Sequence, residues 1–193
     1  MTRFATILII VFATTSAAAA DNPFGSAGVI APSGAISLTY QKVSPPEGDS
    51  ESTTTLSLAP TLMYFVIDNL AVGGGLVLEH ASNDADSYTI YGIAPAVGYN
   101  IPFDNLSLMP TLTLQLARGT MDSDFMGTTQ KLNMAVVNLV IDAPILYHAG
   151  NFFVGVGPYF STTLVSKIGD GDATEDASKD TTLGIVSKIG GWF

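Results

Sequence analysis

The chain has 193 residues, of which 17 are acidic and 7 basic, giving a net charge of −10, and it has no cysteine. That charge argues against nucleic acid as a partner, and the lack of thiols removes disulfides, cysteine nucleophiles and cysteine-based metal sites. Hydrophobic residues reach 47% while charged ones stop at 12%, a surplus that a soluble domain would have to bury.

Met1-Thr2-Arg3 is a short basic start, Ile7-Leu8-Ile9-Ile10-Val11-Phe12 an apolar core, and Ala18-Ala19-Ala20 a small-residue site. These predict a secretory leader over 1–20, cut before Asp21. The apolar run is far short of the roughly 20 residues that span a bilayer as a helix. No later stretch is longer, so no transmembrane helix is expected. About 170 residues then remain, which suits one domain. Loss of Arg3 leaves 17 acidic against 6 basic residues, a net charge of −11.

Period-two runs between turn signals predict eight strands, at 34–43, 53–66, 70–80, 87–101, 106–118, 129–147, 152–165 and 181–193. Residues 21–33 are expected to be a periplasmic N-terminal segment, and 34–193 the strand domain. In the second strand Leu56, Leu58, Leu62 and Tyr64 lie on one face, with Thr55, Ser57 and Thr61 on the other. The third sets Leu70, Val72, Leu76 and Leu78 against Ala71, Gly73, Gly75 and Glu79. The fifth sets Leu106, Leu108, Leu112, Leu114 and Leu116 against Ser107, Thr111, Thr113 and Gln115. Successive strand side chains point to opposite faces, so each of these strands has one greasy side.

The connections alternate in kind. Ile67-Asp68-Asn69, Pro102-Phe103-Asp104-Asn105 and His148-Ala149-Gly150-Asn151 are short. The stretches 44–52, 81–86, 119–128 and 166–180 are longer, Ser/Gly-rich, and hold 12 of the 17 acidic residues. Tyr64, Tyr99, Phe103, Tyr147, Phe152, Trp192 and Phe193 cluster near the short turns, and Tyr40, Tyr88 and Phe160 lie toward the long loops. Two aromatic girdles at two membrane interfaces would have this distribution. Pro60, Pro95, Pro110, Pro144 and Pro158 interrupt strands, where a missing N–H costs a ladder bond. They predict β-bulges near the short-turn rim, one of them near Asp142 and Ala143, because Pro144 alone has the opposite parity.

The last strand alternates through Leu183, Ile185 and Ile189 and ends on Trp192 and Phe193. A chain that stops on such a strand resembles the small eight-stranded bacterial outer-membrane β-barrels, the group that includes the transmembrane domain of outer-membrane protein A and the barrels of the outer-membrane protein W group. Residues 59–74 (Pro60, the aromatic pair Tyr64 and Phe65, the Asp68-Asn69 turn, then a Gly-rich strand) look like the second hairpin of that group. Related pieces recur at Ala94-Pro95-Ala96-Val97-Gly98-Tyr99 and Ala143-Pro144-Ile145-Leu146-Tyr147. The resemblance implies an antiparallel up-and-down barrel in the outer membrane, both termini periplasmic, the short turns periplasmic and the long loops outside. It also implies that Trp192 and Phe193 form the signal read by the barrel-assembly machinery. Membrane lipids and lipopolysaccharide are the other expected partners; no cofactor is expected, and a monomer is.

Parity places Glu79, Asp142 and Lys188 inside the barrel. An eight-stranded bore is narrow enough for side chains to fill it, and charges buried there need partners. Lys188 is therefore expected to bridge Asp142 or Glu79, with Gln115 and Asn138 extending the network and plugging the lumen. Asp170-Gly171-Asp172-Ala173-Thr174-Glu175-Asp176 has some calcium-loop character without the spacing of an EF-hand, and reads as a solvated acidic loop. His80-Ala81-Ser82 is similar to the His-x-Ser pair of outer-membrane lipid A deacylases, but the fourth strand lacks the acid that would orient the histidine. His80 and His148 fall at opposite ends, so they cannot share a metal. The expected function is non-enzymatic: a structural or surface-interaction barrel with short acidic loops. The alternatives are a narrow channel for small or apolar solutes and, more distantly, a lipid A-modifying enzyme.

Overall fold

A computed structural model describes residues 5–7, 23–43, 51–82, 86–125, 128–170, 173–176 and 179–193. The proposed cleavage site before Asp21, most of the loop 44–52 and the centre of the 170–176 loop lie outside them. The described chain is all-β: β1 (Ala5–Ile7), β2 (Ile30–Val43), β3 (Glu51–Ile67), β4 (Leu70–Ser82), β5 (Asp86–Tyr99), β6 (Ile101–Phe103), β7 (Leu106–Leu108), β8 (Thr111–Phe125), β9 (Thr128–Asp142), β10 (Ile145–Ala149), β11 (Phe152–Asp170), β12 (Ala173–Asp176) and β13 (Thr181–Gly191). Every pairing between them is antiparallel.

The sequence predicts eight unbroken strands, and the structure divides three of them. β5 and β6, β7 and β8, and β9 and β10 are each one strand broken for one or two residues. Register does not change across the breaks. Gly98 faces Thr111 and Ile101 faces Leu108; Asp142 faces Thr111 and Ile145 faces Leu108. Counting each broken pair as one stave gives eight staves, with β1 and β12 as short additions. The ring closes where Ile189 faces Gly34 and Gly190 faces Ser33. Ile30 and Phe193 add two backbone hydrogen bonds, of 2.9 and 3.0 Å, to that seam. The sheet is therefore a closed barrel, which leaves no permanent edge.

Proline explains two of the breaks. Pro110 and Pro144 have no N–H to give the ladder, but their carbonyls still accept from Tyr99 and Met109, each at 3.0 Å. The predicted bulge near Asp142 and Ala143 is absent, since β9 and β10 keep one register against both neighbours. Pro144 has the opposite parity because its ring faces the lumen and is fully buried. The register shifts fall instead at Val66, near the short-turn rim, and at Leu164, toward the long-loop end.

Three tight connections close the short-turn end, with only residues 68–69, 104–105 and 150–151 between strands. Each has one residue at positive φ: Asn69 (67°), Asp104 (49°) and Gly150 (60°), the residue types that tolerate that region. At the other end the strands outrun the prediction. β8 continues to Phe125 and β11 to Asp170, and the ladder there runs on backbone bonds. The first barrel strand begins at Ile30 rather than at residue 34, and β1 pairs beside it, with Ala5 facing Tyr40 and Ile7 facing Leu38.

Exposed large apolar residues, among them Leu62, Leu76, Ile93, Leu112, Ile141 and Val156, cover the outer wall. Tyr64, Tyr99, Phe103, Tyr147, Phe152 and Phe193 project outward at the short-turn end. Two residues assigned to the girdles do not belong there. Trp192 is buried in the bore, 6% exposed, and Tyr88 turns its hydroxyl inward to Glu79.

Candidate functional site in the barrel lumen

The bore changes character along its length. At the short-turn end Val29, Ala31, Met63, Phe65, Ala71, Met109, Leu146, Phe153 and Trp192 form a buried apolar cluster inside the barrel. Phe24, partly buried, packs against it. Its ring lies 5.1 Å from Phe65, 5.3 Å from Phe153, 5.4 Å from Trp192 and 4.8 Å from the His148 imidazole. The segment that carries Phe24 is tied to the rim. Asn69 N–H donates to Gly25 O (2.6 Å), Gly28 N–H to Phe65 O (2.8 Å) and Ala27 N–H to Asp68 Oδ1 (2.9 Å). Gly25 has φ +96°, and a Cβ there would lie 2.6 Å from Asn100 Nδ2, so no larger residue fits the turn. Residues 23–28, within the segment 21–33 that precedes the predicted strands, thus form a floor across the mouth.

Polar atoms at this floor are unevenly matched. Ser107 Oγ lies 2.8 Å from His148 Nε2, and Asn100 Nδ2 donates to Asn69 Oδ1 at 3.1 Å. Among the described residues, His148 Nδ1 and Asn100 Oδ1 are buried without a partner.

Above the floor Lys188 Nζ donates to Asp142 Oδ1 at 2.5 Å, with side-chain exposures of 23% and 7%. The two residues sit on β13 and β9, with β11 as the one stave between them. Between them on β11 the inward positions are Gly155, facing Lys188, then Gly157, then Tyr159, facing Asp142, and the two glycines leave the lysine room to reach across. Farther up, Thr163 Oγ1 donates to Asn138 Oδ1 (2.9 Å) and Asn138 Nδ2 to Gln115 Oε1 (3.3 Å). Higher still, Tyr88 OH donates to Glu79 Oε1 at 2.7 Å. Of the three charges that parity sends inward, the structure brings Asp142 and Lys188 together and gives Glu79 a tyrosine instead. A cavity of about 170 Å³ lies between floor and network, lined in part by Ser33, Thr61, Thr113, Gln115, Asp142 and Lys188.

His80 projects outward, and its Nδ1 lies 2.9 Å from Thr89 Oγ1 on the next strand. Glu79, the carboxylate beside it in sequence, points into the bore. The geometry places a hydroxyl where a hydrolase would need an acid.

Sequence reasoning missed Phe24, Ser107 and His148 at the floor. The signal for a floor was present: Leu62-Met63-Tyr64-Phe65-Val66, Ile145-Leu146-Tyr147 and Phe152-Phe153-Val154 are apolar on both parities, as strands buried on both faces are.

No family model and no curated protein matches the chain. Among solved structures it is similar to Neisserial surface protein A, at 13% identity and a TM-score of 0.40, over 84% of this chain and 94% of that one.

Proposed function

We propose that this protein is an integral barrel of a bacterial outer membrane with a structural or surface-interaction role, presenting short acidic loops outside and keeping both termini in the periplasm. The observation that carries this reading is the closed antiparallel ring, apolar outside and filled inside at one end. A wall with that exterior is stable only where hydrocarbon replaces water, and closure satisfies the backbone there. Its partners are then membrane lipids, lipopolysaccharide included, and the barrel-assembly machinery that reads Trp192 and Phe193. The apolar floor supports a barrel that does not conduct. The Asp142 and Lys188 pair is structural filler above that floor and needs no cofactor.

The test is single-channel recording on protein purified from outer membranes, its fold first verified by a heat-dependent gel shift. The expected result is a shifted band and electrical silence, also for Lys188→Ala, because the barrier is the floor and not the pair. Steady openings that appear with Lys188→Ala would overturn the reading and make the pair a gate. Recovery of the protein from the soluble periplasm would remove the barrel's membrane role altogether.

A second reading, a passage for small apolar solutes, has one observation in its favour. The cavity is bordered by Gly34, Ala35, Val186, Ser187 and Lys188, on the two staves whose pairing is two residues long. Swelling of liposomes that hold the protein, in an uncharged apolar solute, separates it from the first.

A further inference from the structure

Four staves end their apolar outer surface at one register. Ile93, Leu116, Val137 and Val165 face one another across β5, β8, β9 and β11. Two residues farther toward the long loops, the outward row is Tyr91, Arg118, Ala135 and Lys167. The next row is Thr89, Thr120, Asn133 and Gly169, polar and uncharged. Arg118 and Lys167 are thus the first charges past the hydrocarbon-facing band on their staves, and both are exposed.

Their placement is unusual for so acidic a chain. Of 7 basic residues in a protein of net charge −10, two flank a single alanine on the outer wall. With neighbouring strands about 4.8 Å apart, their Cα atoms are roughly 10 Å apart. Ala135 leaves the space between the two long side chains open. Among the described residues neither cation is in an ion pair. Asp176 is the register partner of Lys167 on its other side, and Asp122 faces Lys131, a third outward cation higher on β9. Tyr91, 59% exposed, stands next to Arg118.

We propose that Arg118 and Lys167 bind the phosphate of a phosphorylated lipid headgroup in the leaflet next to the long loops. The inference rests on the barrel lying in a membrane. Guanidinium and ammonium both pair strongly with phosphate, the guanidinium through a two-pronged contact. The apolar row just below supplies a surface for the same molecule's acyl chains, and Tyr91 an amphipathic edge at the boundary. A soluble phosphate would use the cations alone. A lipid uses both rows, and this juxtaposition of cations and apolar wall is what selects it.

The test is native mass spectrometry of protein purified from outer membranes, delipidated in detergent and titrated with bis-phosphorylated lipid A or its dephosphorylated form. A heat-dependent gel shift on the same samples reports the barrel, so loss of the fold and loss of the site are separate results. We expect one bis-phosphorylated lipid retained per barrel. Dephosphorylation, or the double variant Arg118→Gln/Lys167→Gln, should weaken retention about thirtyfold, and Lys179→Gln should leave it unchanged. Ala135→Glu, which sets a carboxylate between the cations, should act in the same direction and serves if the double variant does not fold. Equal retention of the dephosphorylated lipid, or undiminished retention by both site variants, would overturn the proposal. Displacement by millimolar inorganic phosphate would assign the pair to a soluble anion and would overturn it too.

Discussion

The two ends of the barrel share an exterior and differ inside. At the short-turn end the bore is a packed apolar cluster with Phe24 against it, closed by two-residue turns. At the long-loop end it holds hydrogen-bonded polar side chains, with a cavity between them and the floor, and the strands extend past the apolar wall. Strand alternation dictates the outer wall at both ends, because alternate residues of one strand must share a face. It does not dictate the bore, which can be stabilised by packing or by pairing. On that comparison, packing at the floor should carry more of the barrel's stability than the upper bore, whose bonds are worth about 1 kcal/mol each.

The sharpest way to break that comparison is the same substitution inside the floor and on the outer wall. Leu146 is fully buried in the bore, whereas Leu112 is 45% exposed on the outer wall. Leu146→Ala loses the transfer energy of the side chain and leaves a cavity that its rigid neighbours cannot fill, for a cost of about 3–4 kcal/mol. Leu112→Ala loses only the transfer term, about 1–2 kcal/mol, since lipid closes over the gap. Reversible denaturant unfolding from lipid vesicles measures both. Equal costs would mean that the inner cluster is not packed as a core.

The next largest effect separates floor from network. Asp142→Leu leaves the Lys188 ammonium half-buried without its carboxylate and should cost about 2–3 kcal/mol, below the value for a fully enclosed pair because the cavity adjoins it. Adding Lys188→Met removes the stranded charge as well, and most of the loss should return. A double variant as unstable as the single one would show that the pair contributes more than compensation for its own burial.

Much of this was legible in the residues, and the exceptions have physical reasons. Leu106 to Leu116 and Leu70 to Leu78 announce outward faces because they alternate with small and polar residues on the same strands. Asp142 and Lys188 were readable as inward by parity, and as partners because an isolated charge in the bore is costly. Glu79 was readable as inward too. Its choice of Tyr88 is not, since distance from the loops assigns Tyr88 to a girdle whereas its parity places it in the bore. Trp192 was misassigned for the same reason. The floor escaped because Phe24 belongs to no strand: its position follows from where the closed barrel leaves an aromatic-lined hole, a property of eight staves together. The bulge at Ala143 was a wrong inference from a real parity change, which the ring of Pro144 satisfies by entering the lumen.

The smallest expected effect tests the upper bore alone. Tyr88 and Glu79 form a single 2.7 Å hydrogen bond near the long-loop end. Tyr88→Phe keeps the ring and removes the donor, leaving the carboxylate to whatever water reaches that end of the bore. If the upper bore is open to water, solvent replaces the hydroxyl and the cost is about 0.5–1 kcal/mol, within the net worth of one such bond. If that end is sealed, the stranded carboxylate costs several times more. Unfolding of the variant in the same vesicles as Leu146→Ala therefore locates the boundary between dry floor and wet bore. A loss near 3 kcal/mol would move that boundary to the outer end of the barrel, and the two halves would then be one core.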